Sequence, residues 1–177
     1  MRGEYNDPFS SDEWQQLAMP YKEFDVSIDD INEDELVTIG RTYEIENLSA
    51  AEFPSSAFPV KGHFIIDRNK RFMVPLVCQW AGKPHMTSIN VWFLVDTGSP
   101  FTTLTMKSLK AILGANKEIY ETDCFEIAIQ DQQSNVSCQV SKAHFKEVNI
   151  LGANAVQHLK LWLRGNWNQN EFELYRQ

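Results

Sequence analysis

The stretch of sequence that decides the fold runs Phe93-Leu94-Val95-Asp96-Thr97-Gly98-Ser99-Pro100-Phe101-Thr102-Thr103-Leu104-Thr105. An apolar run typical of a β-strand, from Val91 to Val95, ends abruptly on an acid, a hydroxyl residue and a glycine. Such a strand is an unfavourable place for an unpaired carboxylate, because burying a charge without a partner costs free energy. We therefore expect Asp96 to occupy a special environment or to have a function.

A surface turn is the simplest alternative interpretation of this stretch. Asp and Gly are ordinary turn residues, so Asp96-Thr97-Gly98 alone indicates little. A second stretch follows later in the chain and reads Asn149-Ile150-Leu151-Gly152-Ala153-Asn154-Ala155-Val156. There an apolar pair and a glycine precede a segment with helical spacing. The two stretches together favour a function over a turn.

Together these stretches resemble the two motifs of one protein family. Asp96-Thr97-Gly98-Ser99 after an apolar run resembles the active-site loop of the aspartic proteases. Ile150-Leu151-Gly152 before a helix is similar to the second motif of the retropepsins, the single-domain aspartic proteases of retroviruses and retroelements. In that family the second motif passes behind the active-site loop. The resemblance therefore implies that Ile150, Leu151 and Gly152 support the loop.

The chemistry of that family explains the residue types around Asp96. Two carboxylates share one proton, and one acts as a base on a water while the other acts as an acid to the peptide carbonyl. Thr97 is expected to brace the tight loop with its hydroxyl. Gly98 allows the backbone to approach the carboxylate, and Ser99 is placed to donate a hydrogen bond to Asp96.

One copy of the Asp-Thr-Gly motif implies a homodimer. A polypeptide substrate would then be cleaved by two Asp96 residues that meet at a two-fold axis. The terminal segment Phe172–Arg176 alternates apolar and polar residues and has no later strand to pair with. In retropepsins the last strand pairs with its counterpart in the second subunit, so we expect the same here.

The expected fold is all-β. The resemblance implies a single-domain retropepsin-like acid protease fold, closed and barrel-like, with one or two short helices. The pattern predicts strands over residues 64–66, 72–80, 88–95, 125–129, 136–140, 150–151 and 172–176, and helices over 106–113 and 154–164.

The first third of the chain differs in charge from the rest. Residues 1–60 contain 14 acids against 3 bases, a net charge of −11. We predict an acidic N-terminal extension and linker over 1–61 and a protease domain over 62–177. The extension is expected to be a solvated tail, or else a prosegment or docking arm. A capping box at Ser10-Ser11-Asp12-Glu13 predicts a short helix that ends at Pro20.

Composition argues against several other classes of function. Lysine and arginine are not clustered, so no nucleic-acid partner is expected. No apolar run reaches membrane-spanning length and no signal sequence is recognisable, so we expect an intracellular, cytoplasmic protein without a membrane partner. A zinc site of Cys124, Cys138 and His144 would lack the usual close-paired ligands. We therefore predict free buried thiols, no metal and no cofactor.

The chain departs from the retropepsin pattern in three places. Pro100 and Ala153 stand where retropepsins commonly carry an acid and an arginine that pair at the dimer interface. Retropepsins also close over substrate with a glycine-rich hairpin, the flap, whereas residues 115–131 contain no glycine. If residues 125–140 form the later hairpin of the fold, only 115–124 remain for a flap.

These departures keep two alternatives to an endopeptidase open. One is a catalytically inactive retropepsin-like module that dimerises or binds peptides. The other is an unrelated β-rich binding domain. The intact Asp96-Thr97-Gly98 favours the enzyme, an aspartic endopeptidase of retroelement descent, and the missing flap glycines favour the inactive module.

Overall fold

A computed structural model describes residues 31–65 and 70–177, and this part of the chain is mostly β-sheet. The short helix predicted between the capping box at Ser10-Ser11-Asp12-Glu13 and Pro20 lies outside the described residues. The helices are α1 (Glu33–Thr42), α2 (Met106–Leu113) and α3 (Ala153–His158), with a 3-10 turn at Ala143–Phe145. The strands are β1 (Ala50–Ala51), β2 (Val60–Ile65), β3 (Arg71–Trp80), β4 (Ser88–Val95), β5 (Thr102–Leu104), β6 (Cys124–Ile129), β7 (Asn135–Val140), β8 (Ile150–Leu151), β9 (Leu161–Asn166) and β10 (Glu171–Arg176). Within the described ranges, no helix is long and apolar enough to cross a membrane.

Six strands close into a ring. The neighbours run β3–β4–β8–β5–β7–β6, and β6 pairs with β3 to complete the circle. β2, β10 and β9 extend the sheet outward from β3, and β1 pairs with β4. The prediction of an all-β fold with short helices is confirmed, and the ring gives it the barrel-like closure.

β4 is buried on both of its faces, which explains its apolar run from Val91 to Val95. Successive side chains of a strand point to opposite faces. Val91 and Phe93 belong to the main core, whereas Trp92 and Leu94 belong to a second core on the other face. The strand that ends at Asp96 is therefore held rigidly from two sides.

The N-terminal segment supplies the cover of this second core. Ile31, Leu36 and Ile39 are buried there, against Trp92 and Leu94 of β4. Asn32 begins α1, since its side chain accepts a hydrogen bond from the Glu35 N–H. The expectation of a solvated tail is thus wrong for this part of the segment, because an amphipathic helix buries its apolar face. The boundary at residues 61 and 62 stays a prediction.

The chain between α1 and β1 lies along the edge of β4. The Trp92 indole N–H donates to Ile45 O at 2.7 Å, and the Trp92 backbone N–H donates to Asn47 Oδ1 at 3.0 Å. β1 continues the contact, with Ala50 opposite Ile89. The N-terminal segment and β8 thus share one edge of the strand that leads to the candidate site.

The predicted helix over 154–164 is wrong beyond His158. α3 ends there, and Lys160 takes a positive φ of 53°. β9 then forms, because Leu161 and Leu163 alternate inward with Trp162, which is 48% exposed. Apolar residues at 159, 162 and 163 also fit helical spacing, which is why the sequence favoured a helix.

The expected free edge of the terminal strand is also wrong. β10 pairs with β2 on one side and with β9 on the other. Both of its edges are occupied within one chain, because the segment predicted as helix supplies a strand instead. Among the described residues the unpaired edge at this end of the sheet belongs to β9.

Candidate active site around Asp96

Asp96 lies where β4 ends against β8. β8 runs parallel to β4, with Leu94 opposite Ile150 and Val95 opposite Leu151. The Asp96 N–H donates to Leu151 O at 3.2 Å. The apolar pair of the second motif therefore continues the sheet directly beside the candidate catalytic residue.

The loop holds one oxygen of the Asp96 carboxylate. The Gly98 N–H donates to Asp96 Oδ1 at 2.9 Å, and the Ser99 N–H donates to Asp96 O at 3.1 Å. A Cβ at Gly98 would lie 3.1 Å from Oδ1, which is a tight contact. Oδ2 has no hydrogen-bond partner among the described residues. Asp96 is half-buried, and its second oxygen is open to solvent.

Two expected contacts of the loop are absent from the single chain. The Ser99 hydroxyl donates to Phe101 O at 2.9 Å, so the prediction that it bonds to Asp96 is wrong. Thr97 is exposed, and its side chain forms no hydrogen bond within the described ranges. It does not brace the loop in one chain, because its side chain faces away from the protein.

Gly152 lies directly behind the loop. A Cβ there would lie 2.3 Å from Phe101 O and 2.4 Å from its carbonyl carbon, distances that backbone atoms cannot accommodate. The following N–H groups bind the loop: Ala153 N–H donates to Ser99 O at 2.8 Å, and Asn154 N–H donates to Pro100 O at 3.2 Å. The glycine is needed for this close approach.

Three polar residues that sequence reasoning missed hold the loop to the fold. Asn154 Oδ1 accepts from both the N–H and the hydroxyl of Thr102 at 2.7 Å, and the Gly152 N–H donates to the same hydroxyl at 3.1 Å. Asn149 is fully buried; it accepts from Thr105 N–H at 2.9 Å and donates to Trp92 O at 3.1 Å. The sequence did carry a signal for these contacts, because Asn149 and Asn154 stand on either side of the apolar pair Ile150-Leu151. A buried amide needs hydrogen-bond partners, so asparagines beside a buried strand indicate polar contacts.

The segment predicted for a flap contains no hairpin. Between the end of α2 and the start of β6, residues 114–123 form turns, and each of them is described. Tyr120 N–H donates to Asp123 Oδ2 at 2.8 Å in one of these turns. β6 and β7 form an antiparallel hairpin within the ring. The candidate site therefore has no strand lid from this part of the chain.

The front of the loop is open. Thr97 and Pro100 are exposed, and Phe101 is 49% exposed although Gly152 lies directly behind its carbonyl.

The cysteines and the buried histidine lie elsewhere in the fold. Cys78 and Cys138 are buried free thiols, and burial raises the pKa of each. The prediction of a buried thiol is wrong for Cys124, which is exposed and whose sulfur lies 2.9 Å from Ser137 Oγ. Burial, and then the positive charge of Lys61, lower the pKa of His63. None of these groups contacts Asp96.

Comparisons with known proteins show a likeness to solved structures. No protein-family model and no curated protein matches the sequence. The crystal structure of a retropepsin-like aspartic protease from Rickettsia conorii is similar, with a TM-score of 0.45 and 14% sequence identity. The alignment covers 67% of this chain and 90% of that one. A likeness at this level describes the course of the chain and does not identify what the site does.

Proposed function

We propose that the protein is an aspartic endopeptidase whose catalytic centre forms when two copies bring their Asp96 carboxylates together. One observation carries the proposal. Asp96 ends a strand buried on both faces, its Oδ1 is held by the Gly98 N–H, and its Oδ2 is free. The loop is fixed from behind at Gly152 and open in front.

Two chains are required because each supplies one such carboxylate. Carboxylates that face each other at close range cannot both ionise, so they share one proton. The ionised Asp96 takes a proton from a water, and the water oxygen attacks the carbonyl carbon of the peptide bond. The protonated Asp96 of the second copy donates its proton to the carbonyl oxygen. The Asp96 that took the proton from water then donates it to the nitrogen, the second Asp96 takes a proton from one hydroxyl of the tetrahedral species, and the C–N bond breaks.

An inactive module that dimerises or binds peptides is the second candidate. The turns at 114–123 favour it, because a lid that excludes water and positions the substrate contributes to catalysis. Pro100 and Ala153 also lack the charges that pair at the retropepsin interface. In this alternative Asp96 would still hold the loop turn through Gly98 but would take no part in bond cleavage.

Peptidase activity against an unstructured polypeptide between about pH 4 and 6 tests the proposal. Wild type should cleave, pepstatin should inhibit, and Asp96→Asn should be inactive while remaining folded, because an amide oxygen still accepts from Gly98 N–H. Asp123→Asn is the matched control, since Asp123 also accepts a turn N–H but lies outside the loop. Cleavage by the Asp96→Asn protein at the wild-type rate would refute the assignment.

A further inference from the structure

We propose that the outer edge of β9 binds the same edge of a second copy of this chain, as an antiparallel pair centred on Leu163. β9 is the last strand of the ladder β3–β2–β10–β9, and no described residue pairs with its outer side. The inference goes beyond the proposed catalysis, since it requires nothing of Asp96. It concerns how two copies associate in solution.

The hydrogen bonds of the β9–β10 hairpin fix which backbone groups face outward. Antiparallel strands alternate between residue pairs that exchange hydrogen bonds and pairs that do not. Gln177 N–H donates to Lys160 O at 3.1 Å, so every second residue from Lys160 onward bonds inward to β10. The backbone groups that face outward are those of Leu161, Leu163 and Gly165.

β9 lacks the common devices that keep an exposed strand edge from pairing. Natural edges are often very short, bulged, interrupted by proline or charged. β9 has six residues, contains no proline and keeps a continuous register with β10. Its only charged residue, Arg164, already pairs with Glu173. At the other end of the sheet β1 has only two residues, so β9 is the end able to accept a strand.

The register centred on Leu163 uses every outward group of both strands. Leu163 then lies opposite its own counterpart, and Leu161 lies opposite Gly165 of the second copy. A register shifted toward the C-terminus would place the two Arg164 side chains opposite each other, which is destabilising. A shift the other way would leave Gly165 without a partner. One register is therefore favoured.

The exposed side chains of β9, Trp162 and Arg164, favour this register. Trp162 lies opposite Arg164 of the second copy, and symmetry forms that pair twice. In one chain the Trp162 ring contacts the Tyr175 ring at 5.1 Å on one side and is otherwise 48% exposed. A guanidinium over an aromatic face is attractive, and Arg164 already makes that contact with Tyr175 at 5.2 Å. Arg164 of a second copy would therefore complement the exposed Trp162 of the first.

Sedimentation at increasing concentration tests the pairing with two substitutions at one position. Leu163→Pro removes an outward N–H, a place where a strand tolerates proline, and should leave only monomers. Leu163→Ala removes the same side chain but keeps the N–H, so dimers should persist. Trp162→Ala should raise the dissociation constant about five- to thirty-fold, since two cation–π contacts are lost. Wild type that stays monomeric, or dimers unaffected by proline, would overturn the proposal.

Disulfide trapping tests the register even where the proline variant fails to fold. Cys124→Ser first removes the exposed native thiol. Trp162→Cys and Arg164→Cys proteins, mixed and oxidised, should form a cross-linked pair. These positions would face each other with Cα atoms about 4.5 Å apart, within reach of a disulfide. Each variant alone should cross-link poorly, and equal cross-linking in the separate samples would contradict the register.

The two proposals can be told apart in a wild type that dimerises, whereas a wild type that stays monomeric would overturn both. An Asp96→Asn protein should dimerise through β9 as wild type does, even though it cleaves nothing. Loss of dimers in Asp96→Asn would overturn the claim that β9 pairing is separate from the site. Absence of peptidase activity in a dimeric wild type would refute the proposed function alone.

Discussion

The back and the front of the Asp96 loop are built in opposite ways. Behind the loop, Gly152 approaches the backbone of Phe101 so closely that no side chain fits, and Asn154 binds buried Thr102 twice. In front, Thr97 and the Phe101 ring face solvent. One chain therefore fixes the position of the Asp96 carboxylate from behind and leaves the front of the loop open. The front is the side from which the second copy of the proposed enzyme would approach.

The largest loss of stability is expected from a side chain added behind the Asp96 loop, at Gly152. Gly152→Val should destabilise the protein by about 3 kcal/mol or more, because the new side chain overlaps the carbonyl of Phe101 and backbone must move. Urea unfolding, monitored by circular dichroism, measures this change in the free energy of unfolding. Ala153→Val adds the same side chain one residue later and should cost much less. Equal stability of wild type and Gly152→Val would mean that the close approach is misdescribed.

A smaller loss of stability is expected from removing the hydrogen bonds between Asn154 and Thr102 behind the loop. Asn154→Ala should destabilise by about 1–3 kcal/mol, since the N–H and hydroxyl of buried Thr102 lose their acceptor. Asn154→Asp keeps an oxygen there and should restore most of the loss. If both variants unfold at the wild-type urea concentration, the contact with Thr102 contributes nothing.

Lowering the pH should destabilise the packing of the N-terminal segment on β4 rather than the contacts behind the Asp96 loop. His63 stacks on Tyr43 with ring centroids 3.6 Å apart, and burial followed by Lys61 lowers its pKa below the ordinary 6.5, with Glu171 opposing. Because the folded protein binds this proton less readily, stability should be complete above about pH 6.5 and fall as the pH drops toward the lowered pKa. His63→Gln should flatten the pH dependence of the unfolding midpoint over that window. An unchanged slope would exclude His63 as its source.

The smallest effect on stability is expected at the front. Phe101→Ala should change stability by less than about 0.5 kcal/mol, because the ring is half-exposed, yet it should lower peptidase activity several-fold if a second molecule covers it. Tyr120→Ala, another exposed aromatic outside the loop, should change neither quantity. Thermal unfolding and initial cleavage rates separate the two effects. A large loss of stability in Phe101→Ala would show that the front is structural.

The sequence was informative where a local pattern has one physical meaning. An apolar strand that ends on Asp96, and an apolar pair followed by Gly152, located the loop and the strand behind it. The region after α3 was misread, because Leu159, Trp162 and Leu163 fit a helix while Leu161 and Leu163 fit a strand. Only the partner strand β10 decides between them.

Long-range contacts account for the rest of what was missed. Thr102 and Asn154 are 52 residues apart, and nothing local to either residue predicts their pairing. The packing of α1 had a readable signal, since Asn32 and Glu35 form a cap before apolar residues. The high acid content of the segment outweighed that signal in the prediction. Acids in the first turn of a helix are in fact favourable.

Mixing wild type with the Asp96→Asn protein tests most directly whether two chains build one catalytic centre. After chain exchange, a wild-type chain in a ninefold excess of variant pairs with another wild-type chain about one time in ten. Cleavage per wild-type chain should therefore fall about tenfold, and by about half in an equal mixture. A mixture in which each wild-type chain keeps its full rate at every ratio would contradict the shared dyad.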